Sequence, residues 1–281
     1  MSSAAAETAP TVATAPAEAP PAIPPAGMGV TCKQGPSDMN ELAVRVVGDD
    51  RNWNDLLVAV TKNWVRKTTP ANVTFKQVSV GSAQHVWAVD TAGSPWRWTG
   101  TTWEKKNGTV ARLSVAGDGV VWGLTATDEI YVYQGPDWSK RVGTLRSIAA
   151  ASGEVVWGVQ SNGGTFRWDP SIKNWIKVTT PANVTFKQVS VGSAQHVWAV
   201  DTAGSPWRWT GSTWEKKNGT VASLSVAGDG VVWGLTATDE IYVYQGPDWS
   251  KRLGTFRSIA AASGEVVWGV QSDGDTFRWG S

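Results

Sequence analysis

From residue 63 to residue 281, short apolar runs alternate with polar turns that contain glycine. In several runs, such as Val78–Val80 and Trp96–Trp98, the apolar positions recur with a period of two, whereas Val86–Val89 is apolar throughout. β-Branched and aromatic side chains are frequent in all of these runs. Such alternation is typical of β-strands. It predicts an all-β fold assembled from units of four short strands.

The same pattern repeats along the chain at two levels. Residues 64–170 align with residues 175–281 without a gap, and only 11 of the aligned positions differ. Four-stranded units of roughly 35–40 residues are typical of propeller blades. Two halves of three units each therefore predict a six-bladed β-propeller. The central tryptophans of the six units are Trp87, Trp122, Trp157, Trp198, Trp233 and Trp268.

The two ends of the repeated region are complementary. The last unit stops after its third strand, whereas Asn63–Val65 matches Asn174–Ile176, the segment that opens a fourth strand inside the chain. We therefore expect Asn63–Lys67 to pair with Thr276–Trp279, so that an N-terminal strand completes the last blade. Closure of the ring would remove the sheet edges that an open solenoid exposes.

The residues before the repeats divide into two regions. Residues 1–29 are rich in Ala and Pro and lack aromatic side chains, so we predict a disordered tail. Residues 30–62 form an N-terminal extension, a candidate oligomerisation element. Leu42–Val47 has the character of a strand, whereas Trp53–Val60 fits either a strand or a short helix.

Charge and cysteine content, together with the lack of long apolar segments, limit the environments and partners expected for this chain. The 25 basic and 24 acidic residues give a formal net charge of +1, which exerts no long-range attraction on nucleic acid or an anionic membrane. The one cysteine, Cys32, cannot form an internal disulfide. No apolar stretch is long enough to span a bilayer. Residues 1–29 lack the features of a signal peptide, so we expect a cytoplasmic protein or one exported by an unconventional route.

Val-Trp-Gly-Val, an aromatic-Arg-Trp strand and a leading tryptophan recur in this order, and the succession resembles the tectonin repeat over residues 63–281. The resemblance implies binding rather than catalysis. Tectonin-domain proteins include lectins of slime moulds, fungi and animals; some bind bacterial lipopolysaccharide, and some fungal members favour O-methylated sugars. Other members are intracellular and bind proteins or phosphoinositide membranes.

The tryptophans and the polar loops supply the candidate ligand contacts. The central tryptophans are expected in the core between blades, whereas Trp96 lies on an outer strand, where a sugar could stack. The turn between the second and third strands should lie on the same face as the connection between blades, although Asp and Asn in such places also simply form turns. The candidates are Asp90, Ser94, Trp96, Lys105 and Asn107, with their counterparts Asp201, Ser205, Trp207, Lys216 and Asn218.

One arginine position recurs in four of the units. It lies between the two aromatic residues of the third strand, where the side chain could bind an anionic group or stack between aromatic rings in the core. The four residues are Arg97, Arg167, Arg208 and Arg278.

No catalytic constellation stands out in the sequence. His85 and His196 are the only histidines and are repeat counterparts, without a partner at metal-ligand spacing. Residues 272–277 match the Asp-box of sialidases only imperfectly. We expect no enzyme activity, no cofactor and no metal. Duplicated features suit multivalent binding. The favoured hypothesis is a lectin for microbial or foreign glycans, and the alternative is an intracellular scaffold that binds a protein or a membrane lipid.

Overall fold

The computed structural model describes residues 39–43 and 60–280, with side chains from residue 63 onward. Every regular element in these residues is a β-strand, and the strands form six antiparallel sheets. The predicted six-bladed propeller is confirmed. The predictions for residues 1–29 and for Trp53–Val60, apart from Val60 itself, lie outside the described residues, as do those for residues 44–47.

Two strands precede the first complete blade, β1 (Met39–Ala43) and β2 (Val60–Lys67). Blade 1 consists of β3 (Phe75–Val80), β4 (Val86–Asp90), β5 (Pro95–Trp98) and β6 (Trp103–Lys105). Blade 2 consists of β7 (Arg112–Val115), β8 (Val121–Leu124), β9 (Glu129–Tyr133) and β10 (Trp138–Thr144). Blade 3 consists of β11 (Ser147–Ala150), β12 (Val156–Val159), β13 (Thr165–Asp169) and β14 (Asn174–Val178). Blade 4 consists of β15 (Phe186–Val191), β16 (Val197–Asp201), β17 (Pro206–Trp209) and β18 (Trp214–Lys216).

Blade 5 consists of β19 (Ser223–Val226), β20 (Val232–Leu235), β21 (Glu240–Tyr244) and β22 (Trp249–Thr255). Blade 6 begins with β23 (Ser258–Ala261), β24 (Val267–Val270) and β25 (Thr276–Gly280). It is completed by β2, which pairs with β25, and β1 adds a fifth strand outside β2. The first strand of every blade contacts the first strands of its two neighbours, and β23 contacts β3, so the ring is closed.

Closure follows the register that the sequence predicts. Asn63 lies opposite Gly280, and Lys67 lies opposite Thr276, across an antiparallel ladder between β2 and β25. The sequence pattern predicts a strand at Leu42–Val47, whereas the described strand is Met39–Ala43, so the two share Leu42 and Ala43. The backbone of β1 also contacts β22 of blade 5.

The hydrophobic core lies between the blades rather than within a single layer. Six clusters of buried side chains are present in the described part of the chain, and each draws its residues from two adjacent blades. The six central tryptophans are all buried, with exposed fractions between 2% and 6%, as expected for core residues. Apolar burial on this scale is the main stabilising contribution to such a fold.

A ring of serine hydroxyl groups joins the first strands. At each of the six blade junctions, a serine Oγ accepts a hydrogen bond of 2.9–3.2 Å from a backbone N–H of the next blade's first strand. Because neighbouring first strands do not form a β-ladder, these hydroxyl groups satisfy N–H groups that would otherwise lack a partner. The acceptors are Ser79, Ser114, Ser147, Ser190, Ser225 and Ser258.

The turns that link the first and second strands also interlock between blades. A Cβ atom on Gly81 would lie 1.9 Å from the Ala116 carbonyl oxygen, so only glycine permits this approach of blade 1 to blade 2. His85 Nδ1 lies 3.1 Å from the carbonyl oxygen of Gly117. The two histidines are therefore structural contacts between blades, since His196 repeats the arrangement with Gly228.

Candidate ligand-binding site

The turn between β4 and β5 lies against the connection from blade 1 to blade 2. The Lys106 N–H donates to the Pro95 carbonyl oxygen at 2.8 Å, and the Val110 N–H donates to the Gly93 carbonyl oxygen at 2.8 Å. This backbone contact places the predicted residues of the turn next to those of the connection. We call Asp90, Ser94, Trp96 and Lys105 the Trp96 cluster.

Asp90 organises this cluster from a buried position. Its Oδ1 accepts a hydrogen bond of 2.7 Å from the Ser94 backbone N–H, and its Oδ2 accepts one of 2.9 Å from Trp96 Nε1. Burial favours the protonated form, but the hydrogen bonds from Trp96 and Ser94 together with the charge of Lys105 outweigh it, so the pKa of Asp90 lies below its ordinary value. The carboxylate thus fixes both the turn and the indole.

Trp96 presents a half-buried indole whose orientation is fixed. Its ring meets that of Phe75 edge to face, with the ring centroids 6.0 Å apart. Lys105, opposite Trp96 in the β5–β6 ladder, places its Nζ 6.0 Å from the indole centroid, at the outer limit of a cation–π contact. The exposed lysine therefore lies beside a partly accessible aromatic surface.

Ser94 and Asn107 differ from the other predicted residues in burial and in hydrogen-bond partners. The Ser94 side chain is buried with the turn. Asn107 is exposed, but its carbonyl oxygen accepts a hydrogen bond of 2.7 Å from Trp138 Nε1 of blade 2. Among the described residues, no hydrogen bond joins the Asn107 side chain to the Trp96 cluster. Asn107 instead marks the junction of blades 1 and 2.

The second half of the chain repeats the arrangement. Asp201 accepts hydrogen bonds of 2.7 Å from the Ser205 N–H and 2.9 Å from Trp207 Nε1, and Lys216 Nζ lies 6.0 Å from the Trp207 centroid. The Asn218 carbonyl oxygen accepts from a tryptophan of blade 5. The two Trp96-type clusters thus have equivalent geometry on blades 1 and 4.

The recurring arginines lie at the surface. All four, Arg97, Arg167, Arg208 and Arg278, are exposed, so stacking within the core is not their arrangement. On blade 1 the cross-strand neighbour of Arg97 is Glu104, whose carboxylate pairs with Lys106 Nζ at 2.6 Å. The four arginine side chains therefore face solvent from the third strands of their blades.

A cleft of about 620 Å³ lies between blades 3 and 4, where the first half of the repeat joins the second. Trp157, Arg167 and Trp209 line it, and the ring centroids of Trp157 and Trp209 are 5.6 Å apart. Trp209 is half-buried here, whereas its counterpart Trp98 is buried. The alternation of apolar and polar positions does not predict this cleft. Its one signal in the sequence is the spacing between the central tryptophans of these two blades, which is 41 residues instead of 35.

A comparison with family models decides which family this architecture represents. The model of the tectonin domain matches residues 74–182 and 185–281, which is well over half of the chain. The chain belongs to the tectonin domain family. The expected resemblance is thereby confirmed, and the two matches correspond closely to the two halves of the repeat. No curated protein matches the sequence significantly.

Solved structures similar to this tectonin-domain chain are propellers of varied function. YCF48 bound to D1 peptide has a TM-score of 0.53 at 16% identity, covering 80% of this chain and 87% of that one. YCF48 from Cyanidioschyzon merolae has a TM-score of 0.52 at 14% identity, with 78% and 91% covered. Virginiamycin B lyase from Staphylococcus aureus has a TM-score of 0.55 at 11% identity, with 78% and 98% covered. At these identities the likeness concerns the fold alone.

Within residues 39–43 and 60–280, no group of three or more His, Cys, Asp or Glu side chains could hold a metal ion. The same residues contain no helix that is long and apolar enough to cross a bilayer.

Proposed function

We propose that this tectonin-domain chain is a multivalent carbohydrate-binding lectin that recognises microbial or foreign glycans and has no catalytic activity. The observation that carries the proposal is the Trp96 cluster, in which Asp90 holds an accessible indole in one orientation beside an exposed lysine. The same cluster occurs on blade 4 around Trp207.

The chemistry of the cluster suits a sugar. The C–H face of a pyranose is apolar and can cover an indole face, which removes apolar surface from water. Lys105 supplies a cationic donor for a ring hydroxyl. Because the Asp90 hydrogen bond already fixes Trp96, binding need not order that side chain, and the entropic cost of association is smaller.

Duplication explains how shallow sites become useful. A half-buried indole with one lysine desolvates little area, so we expect each site to bind in the millimolar range, about −4 kcal/mol. Two such sites on one rigid ring can engage one glycan-bearing surface together, and linked sites gain avidity without new contacts. Self-association through residues 30–62 would increase the number further.

A glycan array that includes O-methylated sugars tests the proposal with a matched pair of variants. On neutral glycans, Trp96→Ala combined with Trp207→Ala should abolish retention. Tyr131→Ala combined with Tyr242→Ala is the control, because these half-buried residues occupy the same strand position on blades 2 and 5 without an Asp90 counterpart. Equal loss in both double variants would contradict the assignment. A folded protein that ignores the array but captures a defined protein or a lipid vesicle would favour the scaffold hypothesis.

A further inference from the structure

Blades 3 and 6 are counterparts in the two halves, yet their turns between the second and third strands differ in charge. On blade 6 this turn carries Asp273 and Asp275. The Asp275 carboxylate forms an ion pair with Arg66, which β2 brings to blade 6 when the ring closes. Blade 6 therefore contains an internal carboxylate bound to its own cation.

Blade 3 has the same turn with other side chains. Asn162 replaces Asp273, Gly164 replaces Asp275, and Lys177 on β14 replaces Arg66. The turn geometry is unchanged, because Asn162 Oδ1 accepts a hydrogen bond of 2.9 Å from the Gly164 N–H, as an aspartate oxygen does on blade 6. Blade 3 thus retains the cation and lacks the carboxylate.

A depression of about 570 Å³ is present on blade 3 at this place, and Asn162, Gly164, Lys177, Thr179 and Thr180 line part of it. Lys177 and Thr179 are exposed. Among the described residues, no carboxylate forms an ion pair with Lys177. The ammonium group is therefore available to an anion from outside the chain.

We propose that this depression, the Lys177 site, binds the carboxylate of a ligand in the position that the Asp275 carboxylate takes on blade 6. Lys177 supplies the charge. The Asn162 amide nitrogen and the Thr179 hydroxyl supply neutral donors, since Asn162 Oδ1 is already engaged by the turn. A carboxylate accepts several such hydrogen bonds, and those from a cation are the strongest.

The ligand class follows when the site is combined with the proposed lectin function, on which this step rests. The ligand is an acidic saccharide, and a uronic acid is its simplest form. The Lys177 site occurs once per chain, because blade 6 already holds Asp275 against Arg66 and adds the negative charge of Asp273. Acidic and neutral sugars should accordingly differ in stoichiometry.

Calorimetry and NMR titration with glucuronate, against glucose as the neutral control, test the proposal on the full chain. Gly164→Asp should build the internal ion pair and weaken glucuronate binding by at least about tenfold, or about 1.4 kcal/mol. The replacement is compatible with the fold, because a Cβ at Gly164 would meet only side-chain atoms, Asn162 Oδ1 at 3.0 Å and Phe166 Cε2 at 3.3 Å, and blade 6 carries Asp here.

The reverse exchange provides a gain of binding. Arg66→Lys, Asp273→Asn and Asp275→Gly together give the turn and the cation of blade 6 the identities of their counterparts on blade 3, and the variant should bind a second glucuronate per chain. Lys177→Gln should weaken binding. Lys173→Gln, which changes the exposed lysine immediately before β14, should not. Binding through Lys177 should also weaken as salt is raised.

Three outcomes would overturn the proposal: glucuronate binding indifferent to Gly164→Asp, equal binding of glucuronate and glucose at this site, or no second site in the triple variant. Acetate serves as a third probe. Displacement of glucuronate by acetate at equal concentration would restrict the site to a bare carboxylate and overturn the saccharide part. Because the Trp96→Ala and Trp207→Ala pair leaves the Lys177 site intact, failure here is distinguishable from failure of the lectin function.

Discussion

Trp64 of β2 and Trp279 of β25 face each other across the closing ladder, with ring centroids 4.9 Å apart and planes inclined by 58°. Trp64 also meets Phe256 edge to face at 4.6 Å and has no exposed surface. The strand that comes first in the repeated region is therefore anchored in the core between blades 5 and 6. Loss of this anchor should affect the whole ring.

Trp64→Ala should destabilise the protein strongly. The change removes a fully buried indole from the closing interface, and large-to-small core substitutions of this kind cost about 3–5 kcal/mol. Trp175→Ala is the matched control, since Trp175 is the counterpart on blade 3 but is only half-buried. Urea unfolding should show a clearly smaller loss for Trp175→Ala. If Trp64→Ala and Trp175→Ala lowered the free energy of unfolding equally, the packing of Trp64 at the closing interface would add no stability beyond that of its counterpart.

Removal of residues 1–67 should destabilise the protein or cause aggregation, whereas removal of residues 1–29 should not. The longer truncation deletes β1 and β2, which leaves β25 with an unpaired edge and exposes the aromatic side chains that Trp64 covers. Unpaired strand edges are templates for association. Thermal unfolding and light scattering measure both effects. Identical melting of the two truncated proteins would refute closure through β2.

The serine ring should contribute to stability at each junction. Ser114→Ala removes the acceptor of the Ala150 N–H, a buried hydrogen bond of 2.9 Å between blades 2 and 3. An unsatisfied buried donor costs about 1–3 kcal/mol. Ser212→Ala, on an exposed residue whose counterpart is Thr101, should change the free energy of unfolding little. Chemical denaturation measures the difference, and equal stabilities of the two variants would assign no energetic role to the ring.

Asp90 and Asp201 should make stability depend on acid pH. Their folded pKa lies below the ordinary 3.8, so the ionised carboxylates stabilise the fold above that pH, and this contribution is lost as pH falls through the folded pKa. Asp90→Asn with Asp201→Asn places an NH₂ group against an N–H donor. The variant should be less stable at neutral pH, and its difference from the wild type should narrow below pH 3.8. If the difference in free energy of unfolding between the variant and the wild type stayed constant across this pH range, ionisation of Asp90 and Asp201 would not be linked to stability.

Repetition made the architecture predictable from the sequence. The spacing of the six central tryptophans predicts the number of blades, and the match of Asn63–Val65 to an internal strand predicts the closing register. Both signals can be found in the order of residues along the chain, without knowledge of side-chain geometry. The fifth strand Met39–Ala43 is predicted only in part, at Leu42 and Ala43, since residues outside the repeat carry no periodic signal. Hydrogen-bond partners within turns were also beyond the sequence pattern.

The candidate site shows where that limit lies. The sequence pattern predicts Asp90, Trp96 and Lys105 as candidate site residues. It does not predict whether the Asp90 carboxylate faces a ligand or the Trp96 indole, because this depends on side-chain geometry. In the structure the carboxylate accepts a hydrogen bond from the indole. Asn107 is a candidate because of its side-chain amide, whereas the hydrogen bond it accepts from Trp138 is to its backbone carbonyl oxygen. The difference between Gly164 and Asp275 was visible in the sequence. Its charge partner Arg66 emerges only when the closing register is combined with that turn.

The twin clusters around Trp96 and Trp207 should act together when the protein binds a glycan-bearing surface. Trp96→Ala alone leaves the Trp207 cluster intact, so calorimetry with a free monovalent sugar should show half the number of Trp96-type sites at an unchanged affinity. Retention on a dense glycan surface should fall much further, by about 10²-fold, because a single remaining site loses the effective concentration that links two sites.

Surface plasmon resonance at high and low glycan density measures this loss of retention directly. At low density, where neither protein can engage two glycans, the ratio of wild-type to Trp96→Ala retention should approach two, which is the ratio of their site numbers. If one substitution halved surface retention and nothing more at every density, the two clusters would act independently, and avidity would have no part in binding.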